Sequence, residues 1–385
     1  MAAQDLRFSS TSSKDGGTFK LIELPPDICK AIENGNSDIV SLTIKGNTDE
    51  EAVLCTSNKT YAVRSVILSN AVLVVTRPRD WDVASDAIDI RDECHEIIEL
   101  LPAVPRIHKL IGMLRGTEYD DAEEELGMDI DDADKPNKRG KITYADAQRE
   151  IQASETELNA ALKDKHILNL GGSLRPISPG YLCTILELVL NTLITLGLSY
   201  KSAPAGELVD ALADEHEISR QVSEQVIGWF GVITHGRWKM CVDDVVKELG
   251  LVLTCGAEAD LMQRQDVPIT EEAFIKRWSD AVGDTFQSAV SLELLSGNYL
   301  SNPSSSFDPS PALTYFPASE LPLEHPARFA DLFLMRSRWR GPEIAPFLTD
   351  CAVDSKERDK LLLKYARATT ENKEVFYTAR AKYNG

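Results

Sequence analysis

Hydrophobic residues along the chain follow two patterns, and the change lies between residues 115 and 142. Residues 19–115 carry short runs rich in Val, Ile, Leu and Thr, separated by turn residues such as Asn34-Gly35 and Gly46-Asn47. Runs of this kind predict short β-strands, and their spacing predicts a small barrel or sandwich. The run DECHEIIELL, residues 92–101, predicts a short helix that closes this unit. The predicted strands are FKLIEL, IVSLTI, AVLCT, TYAVRSVILS and AVLVVTR.

From residue 142 the pattern changes to helices with brief strand-like pieces, and one local order recurs three times. Residues 154–178, 219–242 and 355–381 each predict an amphipathic helix followed by a β-hairpin. Preceded by a shorter helix, this order is the outline of a winged helix, a variant of the helix-turn-helix. Unequal spacing of the copies argues against a solenoid. The predicted turns are Gly171-Gly172, a turn near His235-Gly236, and Thr370-Glu371-Asn372.

The most apolar stretch, residues 177–200, predicts one long helix with a polar stripe. Ser178 fits the N-cap, Pro179 fits the first turn and Gly197 fits the C-terminal stop. The length would allow a membrane-spanning helix. The polar stripe favours a mostly buried helix between domains with one edge in water. The stripe consists of Thr184, Glu187, Asn191 and Thr195.

Charge changes the picture because it is unevenly distributed. The 385 residues carry a formal net charge of −20, from 41 Lys and Arg against 61 Asp and Glu. That total argues against a chain coated with nucleic-acid-binding charge but allows a local basic site. Residues 117–134 hold ten acids and no Lys or Arg, which predicts a self-repelling linker. Residues 135–141, KPNKRGK, fit a nuclear import signal and a solvated linker of mixed charge equally well.

The candidate chemistry points away from catalysis. The seven cysteines form no C-x-x-C pair and the start of the chain lacks signal-peptide features, which favours a reducing cytosol or nucleus. There is no G-x-x-x-x-G-K-[ST] phosphate loop, and the six histidines never fall at metal-ligand spacing. Paired acids lie in solvated runs, where a general acid would not be desolvated. We therefore expect no enzyme, no metal and no cofactor, and favour a binding or assembly protein.

The C-terminal part holds the candidate DNA-binding residues. Residues 301–385 contain 12 Lys and Arg against 11 Asp and Glu, so this end is close to neutral. Three arginines alternate around Trp339, and four further cations share a face of a predicted helix 355–369, opposite Leu361, Leu362 and Tyr365. Such a stripe fits phosphate contact without base-specific readout, and it also fits a solvated helix face with ordinary ion pairs. The candidates are Arg336, Arg338, Arg340, Lys356, Lys360, Lys364 and Arg367.

Several long runs resemble the Dcc-type sister chromatid cohesion proteins, which are subunits of the alternative clamp loader built on replication factor C. The resemblance covers most of the chain apart from the acidic linker. The runs are YFPASELPLEHPARFADLFLMRSRWRGPEIAPFLTD (315–350), LLLKYAR (361–367), VFYTAR (375–380), AVLCTSNKTYAVRSVILSN (52–70), EISRQVSEQVIGWFG (217–231) and RWKMCVDDVVKELG (237–250).

The resemblance implies an α+β fold: an N-terminal small β-barrel-like domain, completed by partner subunits, followed by three winged-helix domains. Within the β unit, Leu54, Thr56, Tyr61 and Val63 are candidate edge or core residues, and the core role is favoured. The expected boundaries are 1–115 for the β-rich partner-binding domain, 116–141 for the acidic and then basic linker, and 142–200, 201–310 and 311–385 for the winged helices.

The resemblance also implies a non-catalytic adaptor that tethers the clamp loader to the leading-strand polymerase epsilon and to DNA. Its role would be sliding-clamp loading or unloading, DNA replication and sister chromatid cohesion in the cell cycle, at the replication fork in the nucleus. The implied partners are the large ATPase subunit, the small barrel subunit, the catalytic subunit of polymerase epsilon, single- and double-stranded DNA without sequence preference and, indirectly, the sliding clamp. No membrane is implied. The alternatives are a tandem winged-helix scaffold of a membrane-trafficking complex and an enzyme with an unrecognised site.

Overall fold

The computed structural model describes residues 6–8, 19–34, 41–76, 88–120, 141–255, 269–303 and 311–380. They form a mixed α+β architecture with several small sheets, as the sequence predicts. Two compact units divide the chain: Met1–Ile107 with Gln148–Leu158, and His108–Ala147 with Asn159–Gly385. Residues 121–140, with most of the predicted acidic linker and basic run, lie outside the described residues.

The first unit is built on one long antiparallel ribbon with shorter strands on both sides. The sheet order is β1-β6-β5-β4-β3, with β2 also pairing with β6, and β1 and β2 run parallel to β6. Among the described strands no pairing closes this sheet into a barrel. The elements are β1 (Leu6–Phe8), β2 (Leu21–Glu23), α1 (Pro26–Glu33), β3 (Thr43–Lys45), β4 (Val53–Cys55), β5 (Thr60–Thr76) and β6 (Ile88–Pro102).

Two details of the predicted β unit are wrong. Residues 92–101 form no helix, because they lie within β6 and pair with β5, in continuous register from Glu96 to Leu101. Pairing along this ribbon and burial of Cys94 and Leu100 outweigh the helical propensity of Glu and Leu. The predicted strands 60–69 and 71–77 are one strand, β5, with a register irregularity between Ile67 and Val72.

Residues 148–158 belong to the first unit although forty residues separate them from the rest of it, which ends at Ile107. Lys45 Nζ donates to three carbonyl oxygens of this segment, those of Gln148 at 2.6 Å, Ile151 at 3.2 Å and Ala153 at 2.8 Å. Gln152 Nε2 donates to the Glu51 carbonyl at 2.8 Å, and Ser154 N donates to Thr60 Oγ1 at 3.0 Å. These bonds satisfy buried polar groups of both stretches. The unit's apolar cluster comprises Ile28, Leu54, Tyr61 and Leu100.

The remaining elements follow in chain order. They begin with α2 (His108–Leu114), α3 (Tyr144–Glu150), α4 (Glu155–Asp164), β7 (Ile167–Leu170), β8 (Ser173–Pro176), α5 (Pro179–Thr195), β9 (Ala203–Pro204), α6 (Ala205–His216), α7 (Arg220–Trp229), β10 (Gly231–Thr234), β11 (Arg237–Met240) and α8 (Val242–Cys255). They continue with β12 (Ile269–Thr270), α9 (Glu271–Val282), β13 (Tyr299–Pro303), β14 (Pro311–Tyr315), α10 (His325–Met335), β15 (Arg338–Arg340), α11 (Gly341–Ile344), α12 (Ser355–Tyr365), β16 (Ala366–Glu371) and β17 (Glu374–Ala379). Short 3₁₀ helices span Gln287–Ala289, Leu292–Leu295, Ala318–Glu320 and Ala345–Cys351.

The three predicted helix–hairpin segments are confirmed. They are α4 with β7–β8, α7 with β10–β11 and α12 with β16–β17. Each segment is preceded by a further helix, which is α3, α6 or α11, and a short extended piece comes just before that helix. This piece pairs antiparallel with the second strand of the hairpin: Thr143 with Ser173, β9 with β11, and β15 with β17. The turns have the positive φ angles of two-residue hairpin loops. The third turn is Asn372-Lys373, slightly later than predicted.

Helix α5 matches its predicted boundaries and amphipathic pattern. Ser178 accepts a hydrogen bond from Tyr181 N as N-cap, and Gly197 follows the helix with a φ of 63°. All four residues of the polar stripe are exposed, while Leu182, Ile185 and Val189 are buried. In the described part of the chain no helix is long and apolar enough to span a membrane.

Three fully buried tryptophans anchor the hydrophobic clusters of the second unit. Each indole satisfies its N–H on a helix carbonyl: Trp238 on Ile227 at 2.8 Å, Trp278 on Val246 at 2.8 Å and Trp339 on Leu332 at 3.0 Å. A buried indole without such an acceptor would lose the energy of its solvent hydrogen bond.

Candidate functional site

The third helix–hairpin segment presents a basic helix face. Asp354 caps α12 by accepting a hydrogen bond from Glu357 N at 2.7 Å. The predicted inner face is confirmed, since Leu361, Leu362 and Tyr365 are buried. The outer face therefore points to solvent, and the exposed lysines on it are Lys356, Lys360 and Lys364.

Arg367 does not belong to this helix face. The predicted helix 355–369 ends at Tyr365, and Arg367 lies on β16, paired with Thr378. A β-branched pair, Thr369-Thr370, and six residues of pairing with β17 favour the strand over another helical turn. Arg367 is exposed, so it extends the basic surface from the strand.

The three arginines around Trp339 are engaged by acidic partners. Arg336 lies 3.0 Å from Glu343, Arg338 lies 2.6 Å from Glu371, and Arg340 lies 3.7 Å from Glu374. The guanidinium of Arg338 also stacks over the ring of Phe376 at 3.9 Å, and that of Arg336 over Trp339 at 5.1 Å. These arginines therefore add little net positive charge to the surface.

The lysines of α12 differ from the arginines in this respect. Among the described residues no acidic side chain lies within ion-pair distance of Lys356, Lys360 or Lys364. Lys364 Nζ lies 5.1 Å from the centre of the Tyr365 ring. Within the described residues, the positive charge of the candidate site that is not paired with acids therefore lies on the α12 lysines and Arg367. It does not lie on the three arginines around Trp339.

The four candidate residues of the β unit have different roles. Leu54 and Tyr61 are buried in the apolar cluster, and Val63 packs against it, which confirms the core role for these three. Thr56 shapes the β4–β5 turn, where its Oγ1 accepts from Lys59 N at 3.0 Å. The open sheet edge lies elsewhere.

The sequence predicted a β unit that partner subunits complete, but it did not indicate where the open edge lies. On its outer side β5 pairs with β4 only from Thr60 to Ala62, so among the described strands the side from Arg64 to Thr76 is unpaired. Exposed apolar side chains accompany it: Ile67 is 84% exposed and Leu73 39%. Residues 60–77 are rich in Val, Ile and Leu without clean alternation, which is the signal that could have indicated a strand without a complete core face.

A pocket of about 760 Å³ opens in the first unit between α1 and the end of β6. Within it Asp27 accepts hydrogen bonds from Lys59 Nζ and Tyr61 Oη, both at 2.7 Å. These bonds lower the pKa of Asp27 to about 2, and burial with the same carboxylate raises the pKa of Tyr61. Asp27 is thus held ionised at neutral pH and orients Tyr61 in the core.

An ionisable pair in the second unit is partly buried, with side-chain exposures of 21% for His166 and 14% for Glu248. His166 Nδ1 is 3.7 Å from Glu248 Oε1, and the ring of His166 stacks on Phe230 with centroids 5.2 Å apart. Burial lowers the pKa of His166 to about 4 and raises the pKa of Glu248 to about 7. Both shifts favour the neutral forms of the two side chains. In the described residues no group of three His, Cys, Asp or Glu side chains could hold a metal ion.

Comparison with known proteins identifies similar chains. The family model described as "Sister chromatid cohesion protein Dcc1" matches residues 19–348. The chain is 26% identical over 380 residues to "Sister chromatid cohesion protein DCC1" of Homo sapiens, covering 96% of this chain and 90% of that protein. It is 27% identical over 385 residues to the Mus musculus protein of that name (97% and 90%) and 20% identical over 392 residues to the Saccharomyces cerevisiae one (94% and 97%).

Proposed function

Because this chain belongs to the Dcc1 family of sister chromatid cohesion proteins, we propose that it is a non-catalytic adaptor subunit of an alternative clamp loader. It acts in the nucleus, where it connects the loader to polymerase epsilon and DNA at the replication fork. Its contribution to cohesion follows from placing the loader where the sliding clamp is loaded or unloaded.

The open sheet of the first unit is the observation that carries this proposal. A strand with an unpaired side and exposed apolar residues is a template for a strand of another chain. Phe8 is 73% exposed, Ile44 is 68% exposed and Ile67 is 84% exposed. We assign the missing strands to the large ATPase subunit and the small barrel subunit, which would complete a barrel with this sheet.

The second unit supplies the remaining contacts of the adaptor. We propose that the three helix–hairpin segments, of which the first begins within residues 148–158 of the first unit, are winged helices and that α12 of the third meets DNA. Its three lysines and Arg367 would contact phosphates, which gives salt-dependent binding without sequence preference. The contact with the catalytic subunit of polymerase epsilon also belongs to this unit.

Co-purification tests the open edge. In the full-length protein, Ile67→Asp with Leu73→Asp places two charges at exposed positions of the ribbon. We expect the variant to lose the ATPase and small subunits from a co-expressed complex. Leu334→Asp, at a residue 83% exposed in the second unit, is the matched control and should retain both. Retention of both subunits by the double variant would contradict the composite barrel.

Charge reversal tests the DNA face. Changing Lys356, Lys360 and Lys364 together to Glu should weaken binding to a 30-base-pair duplex by about 100-fold at low salt and flatten the salt dependence. The control carries the same charge change at three exposed lysines elsewhere, Lys163, Lys201 and Lys276. Equal affinities of the two variants would show that α12 is not the DNA face.

A further inference from the structure

The three hairpins offer an internal comparison of one backbone position. In a hairpin with a two-residue turn, the two residues that flank the turn form backbone hydrogen bonds with each other. The next residue away from the turn on each strand directs its backbone N–H and C=O away from the partner strand. In β7 that outward residue is Asn169, in β10 it is Ile233, and in β16 it is Thr370. For β10, Cys241 N donates to Phe230 O at 2.8 Å, so Phe230 faces β11. Because the direction alternates along a strand, Ile233, three residues later, directs its backbone groups outward.

The outward position of the first hairpin is occupied from within the chain. Asn169 N donates to Gln225 Oε1 at 2.8 Å. The Asn169 carbonyl accepts from Gln221 Nε2 at 3.0 Å and from Gln225 Nε2 at 3.2 Å. The side-chain amides of Gln221 and Gln225 on α7 thus form the hydrogen bonds to β7 that the backbone of an added strand would form. The outer edge of this hairpin therefore binds amide groups.

The equivalent edge of the second hairpin is open and apolar. Among the described residues no strand pairs with the outer side of β10, whose sheet order is β10-β11-β9. Val232 is 59% exposed and Ile233 is 47% exposed. The third hairpin has threonines and Glu371 in the comparable region. The second hairpin is thus the one that combines free backbone groups with exposed aliphatic side chains.

The charge of this hairpin selects the partner. Residues 231–240, GVITHGRWKM, contain no acid in a chain of net charge −20. Arg237 is tied to Ser202, donating from Nε to Oγ at 2.6 Å and from the guanidinium to the carbonyl at 2.6 Å. Lys239, opposite Val232 in the ladder, remains exposed on the solvent face. Ile233 lies on the other face, opposite Trp238.

We propose that β10 is a docking edge for an extended partner segment that alternates acidic and aliphatic residues. The segment adds as a strand beside β10 and bonds to the N–H and C=O of Ile233. Its aliphatic residues extend the Ile233 face, and its acids lie next to Val232, on the face of the sheet that also carries Lys239 of β11. This surface is distinct from the open sheet and from α12, so its failure would leave the proposed adaptor function standing.

The test uses the full-length protein and a fluorescein-labelled capped peptide of sequence EVEVEVEVE. We expect saturable anisotropy binding that is about tenfold or more weaker for the matched peptide KVKVKVKVK. N-methylation of the alternate residues whose amides face β10 should abolish binding, whereas N-methylation of the other residues should not, because only one edge of the peptide bonds to the protein.

Protein variants locate the binding. Ile233→Asp should weaken binding of the Glu–Val peptide by about tenfold or more, and Lys239→Glu should reverse the preference between the two peptides. Val375→Asp, at a residue 39% exposed on the third hairpin, is the matched control and should bind as the unmodified protein does. Unchanged thermal melting shows that each variant is folded.

Three results would overturn the proposal. They are no binding of the Glu–Val peptide, binding that Ile233→Asp leaves unchanged, and binding that remains unchanged when the residues whose amides face β10 are N-methylated. Loss of duplex DNA affinity in Lys239→Glu without any peptide binding would assign the hairpin to DNA instead.

Discussion

At the residue scale, one buried arginine connects the elements that precede the third helix–hairpin segment. Arg328 on α10 is fully buried and donates to three carbonyl oxygens, those of Phe347 at 2.7 Å, Ala318 at 3.0 Å and Pro322 at 3.3 Å. It also pairs with Asp350 at 2.6 Å. Because its donors satisfy otherwise buried acceptors, the side chain connects α10 to the 3₁₀ segments on both sides of it.

Arg328→Met should therefore destabilise the protein by about 3 kcal/mol, since each buried acceptor left unsatisfied costs about 1–3 kcal/mol. Urea unfolding followed by tryptophan fluorescence measures this change. Arg340→Met is the control, because its exposed pair with Glu374 contributes at most about 1 kcal/mol. Equal effects of the two substitutions would show that the buried bonds of Arg328 do not stabilise the protein more than an exposed ion pair does.

The pair of His166 and Glu248 makes a pH-dependent contribution. The pKa of Glu248 is raised in the folded state to about 7, so the stability it contributes is complete below its ordinary pKa and is lost as pH rises through 7. The pKa of His166 is lowered to about 4, so its contribution is present above its ordinary pKa and is lost as pH falls towards 4.

Glu248→Gln removes the contribution of Glu248 to the pH dependence of stability. Between pH 5 and pH 8 the unmodified protein must ionise a largely buried carboxyl, which lowers its free energy of unfolding. We therefore expect the free energy of unfolding of the variant minus that of the unmodified protein to increase from pH 5 to pH 8. Parallel urea titrations at both pH values measure it. A difference between the two proteins that is independent of pH would contradict the burial of Glu248 as the cause.

At the element scale, side chains of one helix protect the edge of a neighbouring strand. Gln221 and Gln225 lie one turn apart on α7 and both bond to the backbone of Asn169 on β7. An unpaired strand edge is otherwise open to other chains. Helical spacing in the sequence shows that the two glutamines share a face, but only the structure shows what that face covers.

Gln225→Leu should expose this edge without changing the helix. Because the Asn169 N–H loses its acceptor, its amide hydrogen should exchange at least about tenfold faster. Amide exchange measured by NMR or mass spectrometry on peptides spanning β7 reports this. The amides of β11 provide the internal control, and equal acceleration there would indicate general destabilisation instead.

At the scale of the whole molecule, the first unit is discontinuous in sequence. Lys45, Gln152 and Ser154 bond residues 148–158 to strands that end at residue 102. The expected boundary at 115 would cut these bonds. Any fragment designed to capture partner subunits with this unit must therefore extend beyond residue 158.

A fragment of residues 1–164 should consequently be more stable than one of residues 1–115. The shorter fragment leaves the Lys45 ammonium and the Thr60 hydroxyl without their partners, so we expect a lower melting temperature or no cooperative melting. Circular dichroism melts of both fragments measure this. Lys45→Met in the longer fragment should move its melting temperature towards that of the shorter one, and identical melts of all three would refute a stabilising role for residues 148–158.

The sequence by itself determined the elements whose signals are local. Ser178 and Gly197 bound α5, the paired turn residues mark the hairpins, and the alternation of Leu361, Leu362 and Tyr365 with lysines sets the inner and outer faces of α12. These features depend on capping, turn geometry and helical period, which neighbouring residues decide. The resemblance of the long runs to the Dcc1 family was likewise readable from the chain.

Only the tertiary structure decided the features that depend on distant residues. Residues 92–101 are a strand because β5 pairs with them, and Arg367 is on a strand because β17 does. The arginines around Trp339 are paired with acids that lie 7 to 34 residues further along the chain. Strand pairing, burial and ion pairs depend on which distant residues the fold places in contact. The order of hydrophobic and polar residues along the chain does not specify those contacts.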